Sequence, residues 1–245
     1  MKLSLKNKGE VSSLSNIINE ISNSKKMLSN IVFETKSRKL YLDSIESMSF
    51  VVVGDCLVGK TYFLNRVIGK FEEIPLATIG IDKEIKHFKI EEDIMKITLW
   101  DTAGQERFRN LPRKYYQISD GIFLLFDITN EETFNNLNKW LKDIKQNIKN
   151  DQMPIIYLIG TGIDCNNRVI SKDIAEEYAK SHGIKYFEIS CLYDINNFEV
   201  LNLMILEVYK RNNLDNFRKL MARYKIKIER NLMKKSFHLN KYINY

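Results

Sequence analysis

The chain has 245 residues, 44% of them hydrophobic, enough for one ordinary domain with its own core plus extensions. Three prolines and ten glycines exclude collagen-like and low-complexity classes. No apolar run approaches the roughly 18–20 residues of a membrane helix, and the start lacks a signal-peptide core, so a cytoplasmic, reducing location is expected. The formal charge of +7 is local: from Arg211 to Tyr245 ten Lys/Arg face Asp215 and Glu229, giving +8 and leaving −1 for everything before.

Residues 1–47, rich in Ser, Asn and Lys, place Val11, Leu14, Ile17, Ile18 and Ile21 at helical spacing. That stripe predicts an amphipathic helix packed on the domain or on a partner. From 48 to 212, strand and helix patterns alternate. The β-branched run Ser49–Val53 predicts a strand, and Gly54-Asp55-Cys56-Leu57-Val58-Gly59-Lys60-Thr61 follows it directly, matching G-x-x-x-x-G-K-[ST]. In such a loop glycine lets backbone N–H groups turn inward around a β-phosphate. The lysine carries positive charge toward the β/γ-phosphates, and the hydroxyl of Thr61 is suited to Mg²⁺. A helix over Lys60–Ile68 aims its N-terminus at the same anion.

Strands Lys83–Ile90 and Ile94–Trp100, joined by Glu91-Glu92-Asp93, predict an antiparallel hairpin. A helical piece near Leu111–Ser119 comes next, then strand Gly121–Asp127, helix Glu131–Ile148 and strand Ile155–Thr161. Helix Ser171–His182, strand Lys185–Ile189 and helix Phe198–Arg211 complete the series, and the basic tail 213–245 is expected to be partly helical. The pattern predicts an α/β fold with a six-stranded, mostly parallel sheet, one antiparallel strand and helices on both faces. Ligands of such sheets bind outside the carboxyl ends of the strands, where all the motifs fall. Cys56, Cys165 and Cys191 are odd in number and lack C-x-x-C spacing, which argues against disulfides and zinc.

Trp100-Asp101-Thr102-Ala103-Gly104-Gln105-Glu106-Arg107-Phe108, then Tyr115-Tyr116, Asp120-Gly121 and Leu124-Leu125-Phe126-Asp127-Ile128-Thr129, stand in an order that resembles the Rab family of the Ras-superfamily small GTPases. Thr78-Ile79-Gly80-Ile81-Asp82 is similar to the first switch segment of that family. The resemblance covers about residues 49–212 and implies the three-layer fold of P-loop NTPases. It implies a GTP/GDP switch with slow, Mg²⁺-dependent hydrolysis that regulates vesicle or membrane trafficking. Effectors on the switch regions, an exchange factor, a GTPase-activating protein and a monomeric state come with it.

By the same resemblance Gly54 to Thr61 and Tyr62 bind the nucleotide, and Thr61 and Thr78 ligate Mg²⁺, which Asp101 holds through water. The backbones of Thr78 and Gly104 report the γ-phosphate, and Gln105 orients the attacking water; with Lys60 these form the catalytic set. Phe71 is either a stacking partner of the base edge or an ordinary hydrophobic residue. The guanine-reading N-K-x-D stands here as Thr161-Gly162-Ile163-Asp164, where Asp164 accepts from N1 and the 2-amino group. The last motif reads Ser190-Cys191-Leu192, with backbone donors at Cys191 for the guanine carbonyl.

Four departures matter. Leu57 replaces a small residue, and a positive φ there would carry strain of about 1–2 kcal/mol, or roughly tenfold in affinity. Gly162 removes the aliphatic stem that packs on the base. Lys83 stands where an aromatic should join Trp100 and Tyr115 in an effector-binding trio. No cysteine follows Cys191 to carry a prenyl group, and Lys2 excludes N-myristoylation. The tail either binds anionic lipid, at about 1 kcal/mol per basic residue, or folds back on the domain; nucleic acid is not expected, since RNA-binding modules are absent. The alternative function is a degenerate pseudo-GTPase serving as a nucleotide-locked or nucleotide-free adaptor.

Overall fold

The computed structural model describes residues 32–33, 47–70, 80–90, 93–102, 113–148, 153–215 and 222. The expected N-terminal helix stripe, Phe71, Thr78, Gly104 and Gln105 lie outside the described residues, as does nearly all of the tail beyond Asp215. In chain order the elements are β1 (Val32–Phe33), β2 (Ser47–Gly54), α1 (Lys60–Ile68), β3 (Ile81–Ile90), β4 (Asp93–Thr102), α2 (Arg113–Tyr116) and β5 (Gly121–Asp127). They continue with α3 (Glu131–Asn135), α4 (Leu137–Asn147), β6 (Ile155–Thr161), α5 (Lys172–Ser181), β7 (Lys185–Ile189) and α6 (Asn197–Asn212).

The strands form one sheet in the order β1-β3-β4-β2-β5-β6-β7. β4, β2, β5, β6 and β7 run parallel, and β3 pairs antiparallel with β4, with Ile90 opposite Asp93. The six strands expected from sequence are present. A seventh, β1, adds Val32 and Phe33 antiparallel to Lys89 and Phe88 at the edge. Two residues within a Ser/Asn/Lys-rich stretch are too few to show a period-2 pattern, so this strand has no sequence signature.

Side-chain alternation assigns the two faces of the sheet. Val51 and Val53 of β2, with Ile122, Leu124 and Phe126 of β5, bury against Trp140, Leu141 and Ile144 of α4 and Ala175 and Ala179 of α5. On the opposite face Phe123 is met edge-on by Phe63 of α1 at 5.2 Å and by Phe50 at 6.0 Å. Phe50 and Met204 of α6 close over Gly121, where a Cβ would come within 2.6 Å of the Met204 sulfur. Central strands covered on both sides read as continuous apolar runs, and each fully buried Phe contributes about 1.5–3 kcal/mol. The cover on both faces gives the three-layer architecture.

The helix expected over Glu131–Ile148 comes as two pieces, α3 and α4, separated by Asn136. The Asn136 amide is nearly buried and tied to the loop after β2, which an uninterrupted amphipathic pattern does not announce. Two compact units divide the chain, Met1–Ile205 and Leu206–Tyr245. The first holds the sheet and the helices up to the start of α6. The second holds the rest of α6 and the basic tail. Among the described residues no helix is long and apolar enough to cross a membrane.

Candidate functional site

The parallel strands end side by side. Gly54 closes β2 next to Leu125, Asp127 of β5 pairs with Thr161 of β6, and Thr161 pairs with Ile189 of β7. Val52 pairs with Asp101, which brings the end of β4 to the same rim. The phosphate-loop motif, Asp101, the Thr161–Asp164 segment and the Ser190–Leu192 segment are thus gathered at one end of the sheet, as their positions after strands require.

In the loop, Gly54 turns at φ 143, and a Cβ there would lie 2.3 Å from the Leu125 carbonyl oxygen. Only glycine lets β2 leave the sheet at this point. Asp55 is gripped from α4: Asn136 Nδ2 donates to Oδ2 at 2.7 Å and Trp140 Nε1 to Oδ1 at 2.8 Å. Cys56 is exposed, and Leu57 is 91% exposed in the left-handed region at φ 64. The conditional expectation of strain at Leu57 is therefore met. Val58 is buried, and its carbonyl oxygen lies 2.9 Å from the Thr161 hydroxyl, which is also 3.1 Å from Phe126 O. Thr161 thus ties the loop to β5 and β6 rather than standing free beside a base.

Gly59, at φ 89, is the N-cap of α1 and has no side chain to cap the helix end, an arrangement that suits an anion. Lys60 donates its Nζ to Asp55 O at 2.6 Å. Burial drives its pKa down to about 8 against the opposing pull of Asp101, Cys56 and Asp55. A desolvated ammonium of this kind is stabilised by an anion set beside it.

Next to it, Thr61 Oγ1 donates to Asp101 Oδ2 at 2.7 Å, and Asp101 is nearly buried. One carboxylate and one hydroxyl are hard oxygen donors of the kind that share Mg²⁺ with substrate phosphates, so they fit that ion. Among the described residues no group of three or more His, Cys, Asp or Glu converges on a metal position.

From the loop a cavity of about 290 Å³ extends along α1, lined among others by Leu57, Tyr62, Arg66, Gly162, Asp164, Cys191 and Leu192. Such a space, mainly apolar with a few polar groups, suits a small ligand that presents both kinds of surface. Gly162 has φ 84, and a Cβ there would stand 3.1 Å from Asp127 Oδ1, so the turn itself selects glycine. Ser190 is fully buried, its hydroxyl accepting from Tyr193 N at 3.1 Å, while Leu192 is exposed. Burial pushes the half-buried Cys191 thiol up to about 12, so it stays a neutral, unreactive group. The structure thus brings together Gly54 to Tyr62, Asp101, Thr161, Asp164 and Ser190 to Leu192.

Three participants carried no sequence signal: Asn136, Trp140 and Arg66. The first two read as parts of an amphipathic helix. Arg66 falls within the expected helix Lys60–Ile68 and outside every motif, yet its Nε donates to Cys191 O and its Nη2 to Leu192 O at 2.8 Å. At the other rim, Lys83 Nζ lies 5.1 Å over the Trp100 ring, which packs on Tyr115 with centroids 4.5 Å apart. The lysine therefore caps the aromatic pair in place of a third ring.

Comparison with known proteins agrees with this geometry. The Ras family model matches residues 49–210. The Ras-related protein SEC4 of Saccharomyces cerevisiae is 40% identical over 159 residues, covering 64% of this chain and 72% of that protein. Ras-related protein Rab-13 of Mesocricetus auratus is 36% identical over 160 residues, 64% of this chain and 78% of its own length. Ras-related protein Rab-8A of Bos taurus is 38% identical over 148 residues, 60% and 70% respectively. These relatives lend no support to an adaptor that has lost its nucleotide. With the family model spanning well over half of its length, the chain belongs to the Ras family of small GTPases and is Rab-like within it.

Proposed function

We propose that the chain is a Mg²⁺-dependent GTP/GDP switch, hydrolysing GTP slowly and acting in membrane trafficking. One observation carries this reading: a single cavity joins Val58 and Gly59, the residues just before Lys60, on one side to Asp164 and Cys191 on the other. The inward-turned loop and the N-terminus of α1 cradle the β-phosphate, while Lys60 spans the β/γ-phosphates. Thr61 and Asp101, with Thr78, hold the metal, which when bound neutralises charge on the phosphate oxygens. Gln105 positions water for in-line attack, and the Thr78 and Gly104 backbones follow the γ-phosphate and so couple it to the two switch segments. Asp164 selects guanine by accepting from N1 and the 2-amino group. No side-chain nucleophile is needed, because positioning and charge neutralisation carry the reaction. The intrinsic rate expected is on the order of 10⁻⁴ to 10⁻² per second.

Effectors would meet the Lys83–Trp100–Tyr115 face, and an exchange factor and a GTPase-activating protein would set the cycle of a monomeric switch. The tail 213–245 would hold the protein peripherally on an anionic membrane, about 1 kcal/mol per basic residue near the surface. The decisive experiment measures nucleotide content after purification, then single-turnover GTP hydrolysis by the native chain and by Gln105→Leu. Bound guanine nucleotide and a slower variant support the switch. Equal rates remove the assigned route of hydrolysis, and a chain that binds neither GDP nor GTP would act as an adaptor instead. Comparing full-length chain with one lacking 213–245 on vesicles of anionic lipid tests the tail separately.

A further inference from the structure

We propose that Arg66 is a positioning residue for base recognition: with Asn197 it fixes successive peptide groups of the loop after β7, so that the N–H groups of Cys191, set through Asn197, and of Leu192, set through Arg66, face the 6-oxo oxygen of guanine. This rests on the guanine-nucleotide reading above and extends it to a residue outside every nucleotide motif. Arg66 Nε donates to Cys191 O, and Nη2 donates to Leu192 O at 2.8 Å, across 125 and 126 positions of sequence. From the start of α6, the fully buried Asn197 donates Nδ2 to Ser190 O at 2.8 Å. Three consecutive carbonyls are therefore each held by a side chain.

In a trans peptide the N–H points opposite to the C=O of the same plane. Holding Ser190 O thus sets the direction of the Cys191 N–H, and holding Cys191 O sets that of the Leu192 N–H. The plane fixed through Leu192 O carries the Tyr193 N–H, which closes the loop on Ser190 Oγ at 3.1 Å. Cys191 and Leu192 supply the two aimed donors. They line the cavity together with Asp164 and Arg66. In guanine the 6-oxo oxygen adjoins N1, so a base held by Asp164 presents that oxygen to the neighbouring wall.

The chemistry favours arginine specifically. Its planar fork offers Nε and Nη donors at fixed spacing, matching two carbonyls at once, whereas a lysine ammonium is a single point. Arg66 also rides on the helix that begins with Lys60 and Thr61 and is anchored by buried Phe63, Leu64 and Val67. Phosphate contacts and base-reading donors are thereby referred to one rigid element.

The test is a binding cycle on the full chain with Mg²⁺, using GDP, 6-thio-GDP, whose sulfur is a weak acceptor, and inosine diphosphate, which lacks the 2-amino group. The native chain is expected to prefer GDP over each analogue by about tenfold. In Arg66→Ala, GDP binding falls about tenfold and the preference over 6-thio-GDP collapses toward one, while the preference over inosine diphosphate, set by Asp164, persists. Arg66→Lys, which keeps the charge and the stem, is expected to show the same selective loss and decides the matter if the alanine variant does not fold. Full retention of the 6-thio preference in the folded variants overturns the proposal and leaves the guanine reading standing. Parallel loss of both preferences also overturns it, since that marks a general structural role. A native chain that binds none of the three overturns both.

Discussion

The phosphate end of the proposed site is built mainly from backbone, the turn after β2 and the uncapped start of α1, with one buried lysine beside it. The proposed base end is built from side chains and from a loop held in place by a distant residue, with Gly162 and Leu192 in its wall. Backbone recognition depends first on the turn, and Leu57 enters it through backbone strain and bulk. Base recognition needs particular groups at particular angles, so each replacement there changes the geometry. Substitutions should therefore separate into large losses common to all nucleotides at one end and losses of selectivity at the other.

The largest effect is expected from Lys60→Ala. Removing a desolvated ammonium from the β/γ-phosphates should weaken GTP and ATP alike by at least about 100-fold, measured by calorimetry with Mg²⁺ present. A change confined to one base would contradict the division of labour. Asp164→Ala comes next: the GTP over ATP preference should fall roughly 100-fold through loss of the paired acceptor, with phosphate affinity little changed. Equal weakening of both nucleotides would show that Asp164 supports the loop rather than reads the base.

Much of this division was legible from sequence because each motif is contiguous and follows a strand. Strands Gly121–Asp127, Ile155–Thr161 and Lys185–Ile189 and helix Lys60–Ile68 have the limits their patterns predict. The supports were not legible, because they join residues far apart: Asn136 and Trp140 reach Asp55 across 81 and 85 positions, and Arg66 reaches Cys191 across 125. An asparagine or tryptophan on a helix gives no sign of which carboxylate it will meet. Both ends depend on such long-range contacts, which is why the motifs could be read and their supports could not.

The Asp55 grip tests whether the phosphate end also relies on a distant support. Trp140→Phe keeps the aromatic volume and removes only the donor to Asp55 Oδ1. A hydrogen bond to a carboxylate is worth about 1.5–3 kcal/mol, and Asn136 retains the other oxygen. GDP release should therefore accelerate about five- to tenfold, equally for inosine diphosphate, with a melting point lowered by a few degrees. Acceleration seen for only one base would place the grip with base recognition instead.

The smallest effect on stability, and the one that distinguishes strain from function, belongs to Leu57→Gly. A leucine at φ 64 carries about 1–2 kcal/mol of backbone strain, which glycine relieves while adding about 0.5–1 kcal/mol of unfolded-state freedom. The net gain of about 0.5–1 kcal/mol should raise the melting temperature by about 1–4 °C. At 91% exposure the side chain has almost no packing to lose, so nothing offsets that gain. Affinity for GDP should rise by up to about tenfold, since the leucine lines the cavity and its bulk leaves the approach to the phosphates. A lower melting temperature would mean that Leu57 makes contacts that outweigh its strain. Unchanged GDP affinity alongside a higher melting temperature would assign the strain wholly to folding, leaving the phosphate end insensitive to the residue at the tip of its loop.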